Sequence, residues 1–292
     1  MFAGVHTALI TPFRKNKIDT ATFKKVVESN FAGGVTGIVP CGTTGESPTL
    51  THEEHQAVIE LAIKCAKGRG PVIAGTGSNS TAEAVSLTKA AEKAGADASL
   101  QVCPYYNKPS QEGLYQHFKA VAKATSLPIV LYSIPGRSGI EISVETTARL
   151  AADCKNIVAM KEAGGSVDRV SQLVATCPPG FQVLSGDDSL TLAFMSVGAV
   201  GVVSVASNLI PKAMSDLVRH ALDGRYQEAL ALHQQYYHLF HTFLKLETNP
   251  VPIKAAMALA GFGEPTLRLP MVGLDAAKNK VLQETLQTLK II

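Results

Sequence analysis

Short runs rich in Val, Ile and Ala alternate along the chain with longer stretches whose apolar residues recur at helical spacing. The alternation repeats about every 20 to 30 residues, the size of one strand-plus-helix unit. Eight runs read as strands: Val5–Thr11, Gly37–Cys41, Pro71–Thr76, Ala98–Cys103, Pro128–Ser133, Ile157–Glu162, Phe181–Gly186 and Gly201–Val205. Most are apolar without interruption, as a parallel strand buried on both faces requires. Between them lie amphipathic segments such as TAEAVSLTKAAEKAG, where Ala84, Leu87, Ala91 and Ala94 share a face and Gly95 follows as a stop signal. The pattern predicts an α/β fold, a closed (β/α)8 TIM barrel. An open doubly wound sheet is the competing architecture, because periodicity does not report closure.

From about Pro211 onward the periodicity is helical only, as in YQEALALHQQYYHLFHTFLK and PVPIKAAMALAG. The expected division is a barrel catalytic domain over residues 1–223 and a C-terminal helical segment over 224–292 packed on it. No low-complexity linker separates the two.

Composition narrows the function. Of 292 residues, 46% are hydrophobic and 17% charged, enough apolar material for a large core and too little charge for disorder. The formal net charge is only +3 and no basic run is present, which argues against a nucleic-acid partner. Cys41, Cys65, Cys103, Cys154 and Cys177 are scattered with no CxxC pair, as expected of reduced thiols in the cytoplasm. No apolar stretch reaches the roughly 20 residues of a membrane span, and MFAGVHTALITPFRK lacks the basic start of an export signal.

In a parallel barrel the chemistry sits where strands end, so polar residues closing apolar runs are the candidates. Lys161 closes IVAM and should point into the barrel, where desolvation favours the neutral, nucleophilic amine. Such an amine can attack the ketone of a keto acid, and the resulting imine serves as electron sink. The structural alternative is a lysine paired with Glu162 or Asp187. Tyr132 closes the preceding strand and can both donate and accept protons. Thr43 and Thr44 lie in a glycine-bracketed turn able to hold a carboxylate, or merely to cap a helix. Arg137 follows IPG and offers a carboxylate clamp, or a solvated charge. His52 and His55, in THEEH, share a helical face but lack a third metal ligand. GTGSNS has Ser80 where a dinucleotide fingerprint needs glycine.

Taken together, GTTGES (Gly42–Ser47), GTG (Gly75–Gly77), PYYNKP (Pro104–Pro109), YSIPGR (Tyr132–Arg137), Lys161 in MKEAG, SGDD (Ser185–Asp188) and GVVSV resemble the dihydrodipicolinate synthases over nearly the whole chain. That resemblance implies condensation of pyruvate with L-aspartate 4-semialdehyde on the diaminopimelate route to lysine. It implies Lys161 as the imine-forming residue, with Tyr132, Thr43 and Tyr106 as a proton relay, Tyr106 reaching into a neighbouring subunit. Thr44, helped by backbone near Gly186 and Val203, would hold the pyruvate carboxylate, and Arg137 that of the semialdehyde. A homotetramer built as a dimer of dimers is implied, with no metal and no cofactor. Feedback inhibition by L-lysine is implied at Ser47, Pro48, His52, His55, Asn79, Glu83 and Tyr105. Related sialic acid and sugar-acid aldolases share the lysine, the tyrosine and the GTTGE turn, so a pyruvate-dependent aldolase of a sugar acid is the alternative. A non-catalytic small-molecule-binding barrel is a third reading. Arg137 favours an acidic acceptor aldehyde. Ser133 and Gly136 depart from the family pattern in that turn, and Pro48 replaces a smaller residue.

Overall fold

Every one of the eight apolar runs contains a strand in the computed structural model, which describes residues 2–292. In chain order they are β1 (Gly4–Ala8), β2 (Gly37–Val39), β3 (Ile73–Gly75), β4 (Ala98–Val102), β5 (Ile129–Ser133), β6 (Ile157–Glu162), β7 (Gln182–Ser185) and β8 (Gly201–Ser204). All pair in parallel, running from β2 through β1 and β8 back down to β3. The two edges of that order meet. Ile38 bridges Val72, the Ile38 N–H donates to the Pro71 carbonyl at 3.0 Å, and the Gly75 N–H donates to the Pro40 carbonyl at 3.0 Å. The sheet therefore closes into a barrel, as the pattern predicted. Glycine is required at this seam, since a Cβ on Gly75 would lie 2.3 Å from the Cys41 carbonyl oxygen.

Helices α1 (Thr20–Ala32), α2 (His52–Ala66), α3 (Thr81–Ala94), α4 (Gln111–Lys123), α5 (Val144–Asp153), α6 (Val167–Thr176), α7 (Thr191–Met195) and α8 (Pro211–Leu222) form the outer layer. Their starts are written locally. Thr51 and Glu54 form a reciprocal capping box on α2, and Ser80, Ser110, Ser143 and Ser166 cap α3 to α6 through their hydroxyls.

Alternation along each strand produces two cores. Outward residues such as Ile38, Leu131, Met160 and Val202 pack under the helices. Inward residues Ala8, Val39, Leu100, Val130, Ala159, Leu184 and Val203 fill the barrel, and Phe2 plugs its lower end. Burying such a phenylalanine contributes about 1.5–3 kcal/mol.

Beyond α8 come α9 (Tyr226–Lys245), α10 (Val251–Leu259) and α11 (Ala276–Thr288). This segment is tied to the barrel by two ion pairs, one of them fully buried. Lys254 of α10 pairs with Glu46 after β2, and the Arg268 guanidinium meets Glu54 of α2 at 2.5 and 2.6 Å. Both cations also lie over the Phe13 ring. Among the described residues no helix is long and apolar enough to cross a membrane.

Candidate active site

The register of β5 and β6 sets the position of the candidate nucleophile. Ile129 pairs with Ile157, but Val130 pairs with Ala159, so Val158 is one extra residue on β6. This bulge brings Lys161, rather than Met160, level with Tyr132. Because Ala159 faces the barrel interior, Lys161 two residues on faces the same way, at the strand's C-terminal end.

Lys161 lies at the base of a cavity of 340 Å³ that it shares with Tyr132, Thr43, Thr44, Arg137, Gly186 and Asn249. The side chain is only 5% exposed, and its Nζ sits 4.1 Å from the centre of the Tyr132 ring. It makes no ion pair with a carboxylate among the described residues, because each nearby carboxylate is engaged elsewhere. Glu162 faces outward and binds Arg169 at 2.9 Å and the Gly164 N–H at 2.6 Å. Asp187 accepts from the N–H and hydroxyl of Ser189. Asp188 accepts the N–H groups of Val205 and Ala206 at 3.0 and 2.8 Å, and burial pushes its carboxyl up to about 6. The structural alternative for Lys161, a partner at Glu162 or Asp187, is therefore not what the fold provides.

Space around the amine is set by Gly186. A Cβ there would come within 3.1 Å of the Lys161 Cε and 2.7 Å of the Ala163 Cβ. The Gly186 N–H already donates to the Glu162 carbonyl at 2.7 Å, so this residue contributes room rather than a donor. Val203 sits deeper, in the interior core, and Val205 is the residue from the end of that strand that borders the cavity.

Thr43 and Thr44 begin a single 3-10 turn, Thr43–Gly45, directly above the end of β2. Thr44 is buried, and its hydroxyl accepts from the Asn249 side-chain amide at 3.0 Å. Arg137 borders the cavity from the turn after β5, and its guanidinium donates to the Asn249 carbonyl at 2.7 Å. Tyr106 does not join them. It is 89% exposed on the loop after β4, with a positive φ of 73°.

A second cavity, of 480 Å³, shares the wall formed by Gly42, Thr43, Leu100, Tyr132, Ile134 and Arg137. It extends to Ser47, Pro48, His52, His55, Glu83 and Tyr105. There His52 Nε2 meets Glu83 at 2.8 Å, and the Ser78 hydroxyl donates to the other oxygen of Glu83. His55 is buried, which pushes its imidazole below the ordinary value, and its Nε2 has no partner among the described residues. Asn79 is turned to the neighbouring loop, donating to the Tyr105 carbonyl at 3.2 Å. Among the described residues no three His, Cys, Asp or Glu side chains group as a metal site would need.

Sequence reasoning passed over Asn249, Glu46 and Lys254. The one local signal was a lone lysine inside the apolar helix PVPIKAAMALAG. Nothing local joins Asn249 to Thr44, since 205 positions separate them.

A closed parallel barrel with an amine at its C-terminal rim, unpaired and backed by a tyrosine, defines an enzyme of the barrel lyase class. Within that class the chain belongs to the dihydrodipicolinate synthetase family, whose model matches residues 1–289. The 4-hydroxy-tetrahydrodipicolinate synthase of a Sulfurihydrogenibium species is 51% identical over 293 residues, covering 100% of both chains. The solved 4-hydroxy-tetrahydrodipicolinate synthase of Methylacidiphilum fumariolicum is 53% identical, with a TM-score of 0.98 over 99% of this chain and 96% of that one. The enzyme of Cyanidioschyzon merolae, solved with lysine bound, is 40% identical, with a TM-score of 0.96 over 100% of this chain and 99% of that one.

Proposed function

We propose that this chain condenses pyruvate with L-aspartate 4-semialdehyde through a Schiff base on Lys161. The observation that carries the reading is the buried Lys161 amine, which has no carboxylate partner among the described residues and lies against Tyr132. Its nitrogen attacks the pyruvate ketone carbon, water leaves, and the imine draws off the electron pair when a methyl proton is lost. The enamine carbon then bonds to the aldehyde carbon. Tyr132 moves protons at the ketone and aldehyde oxygens, with Thr43 beside it. Thr44 receives the pyruvate carboxylate, in the room left by Gly186, and Arg137 receives the carboxylate of the semialdehyde. Incubation with pyruvate followed by borohydride reduction should leave a stable adduct on Lys161; its absence by mass spectrometry would falsify the reading.

Tyr106, exposed in one chain, is assigned to the relay of a second copy, within a homotetramer built as a dimer of dimers. Mixing Tyr106→Phe chains with Lys161→Ala chains should then restore part of the activity that each lacks. Ser47, Pro48, His52, His55, Asn79, Glu83 and Tyr105 form the proposed L-lysine site, supported by the lysine-bound relative and by the wall shared with the Lys161 cavity. Unchanged initial rates at millimolar L-lysine would count against it. All five cysteines are free, which supports a cytoplasmic location.

A further inference from the structure

We propose that Asn249 is a positioning residue that sets the hydrogen-bond polarity of Thr44, turning the threonine's hydroxyl proton into the cavity toward the keto acid carboxylate. A hydroxyl carries one proton and two lone pairs. The Asn249 amide donates to Thr44 Oγ1 at 3.0 Å and so occupies a lone pair. Thr44 is 3% exposed, and among the described residues the one hydrogen bond of its hydroxyl is the one it accepts from Asn249, which leaves its own proton free. The direction left for that proton is the cavity, which Thr44 and Asn249 both border. A hydroxyl held this way favours an anionic oxygen over a group that must itself donate.

The rest of the fold holds this arrangement in register. Lys254, five residues after Asn249, pairs with Glu46, two residues after Thr44. The second Glu46 oxygen accepts the Arg268 N–H at 3.0 Å. Arg137 binds the backbone carbonyl of Asn249, not its side chain. Replacing the side chain therefore disturbs Thr44 while leaving the docking of Arg137 in place.

This inference rests on the Schiff-base reading above, and steady-state kinetics can test it separately. Asn249→Ala should raise the KM for pyruvate about fivefold, the worth of one hydrogen bond, and leave the KM for aspartate semialdehyde within about twofold. Asn249→Asp should do more, about tenfold or beyond, because a carboxylate accepts the Thr44 proton and places negative charge beside the keto acid. Adding Asn249→Ala to Thr44→Val should change nothing further. A wild-type pyruvate KM in Asn249→Asp would overturn the proposal. So would a parallel rise of both KM values in Asn249→Ala, or additivity in the double variant. Either Asn249 variant decides the matter if the other does not fold. A missing borohydride adduct in the unsubstituted enzyme refutes the Schiff-base reading itself, whereas an adduct together with unmoved KM values refutes only the role of Asn249.

Discussion

Lys161 at the barrel rim and Lys254 in the C-terminal extension are both buried, at 5% and 1% exposure, yet their surroundings are opposite. Lys254 is enclosed with Glu46, and burial pulls its ammonium down to about 8 while the carboxylate opposes the shift. Lys161 faces an open cavity, and its neighbouring carboxylates are held by Arg169, Ser189 and the backbone of Val205 and Ala206. Burial alone thus does not mark a nucleophile. What separates the two amines is whether the fold supplies a counter-charge or a space for a reactant. Lys254 joins two segments 208 residues apart, while Lys161 joins nothing and is left available.

The comparison breaks most visibly if the lysines are exchanged for the nearly isosteric methionine. Lys161→Met removes the imine nitrogen and should lower kcat by at least about four orders of magnitude, with no adduct after borohydride. Because no ion pair is lost, its melting temperature should not fall below that of the unsubstituted chain. Retained turnover, or a large drop in melting temperature, would mean that the roles of the two lysines have been misassigned.

Lys254→Met should behave in the reverse way. It leaves Glu46 charged, buried and without its cation, a change that costs about 3–5 kcal/mol of stability. Turnover per folded molecule should stay within about tenfold of normal. Adding Glu46→Gln should recover part of the stability, since the uncompensated charge is then gone. Urea unfolding of the three proteins measures this. A single variant as stable as the unsubstituted chain would show that the pair is not what holds α10 to the barrel.

Much of this contrast was legible on one side only. All eight strands could be found because strands buried on both faces leave continuous apolar runs, and Lys161 stood out as a charge ending one of them. Strand ends were overrun for the same reason. Leu9 and Ile10 remain buried after the β1 ladder stops at Ala8, so hydrophobicity does not fall where pairing does. The small hairpin of Phe13–Arg14 with Lys17–Ile18 was missed, because its turn uses Lys15 and Asn16 at positive φ rather than the usual glycine. The partners of Lys254 and of Asn249 lie some two hundred positions away, and only closure of the barrel under the C-terminal segment brings them together.

Acid offers the finest control on the comparison, because the groups that govern it are neither lysine. His6 and His117 are buried and held neutral, each pushed down to about 4. As pH falls from 6.5 to 4 the unfolded chain takes up protons that these folded residues refuse, so stability declines by about 3 kcal/mol for each. Asp188 acts in the opposite sense. Raised to about 6, it binds a proton in the folded state before the unfolded carboxyl does, and returns about 3 kcal/mol over a similar range. Together these three groups contribute a net loss of about 3 kcal/mol by pH 4, most of it below pH 6.5. Urea unfolding across that window should give the same slope in the unsubstituted chain and in Lys161→Met, and a shallower one in His117→Gln. A slope altered by Lys161→Met would tie acid stability to the rim amine and give it the structural role assigned to Lys254.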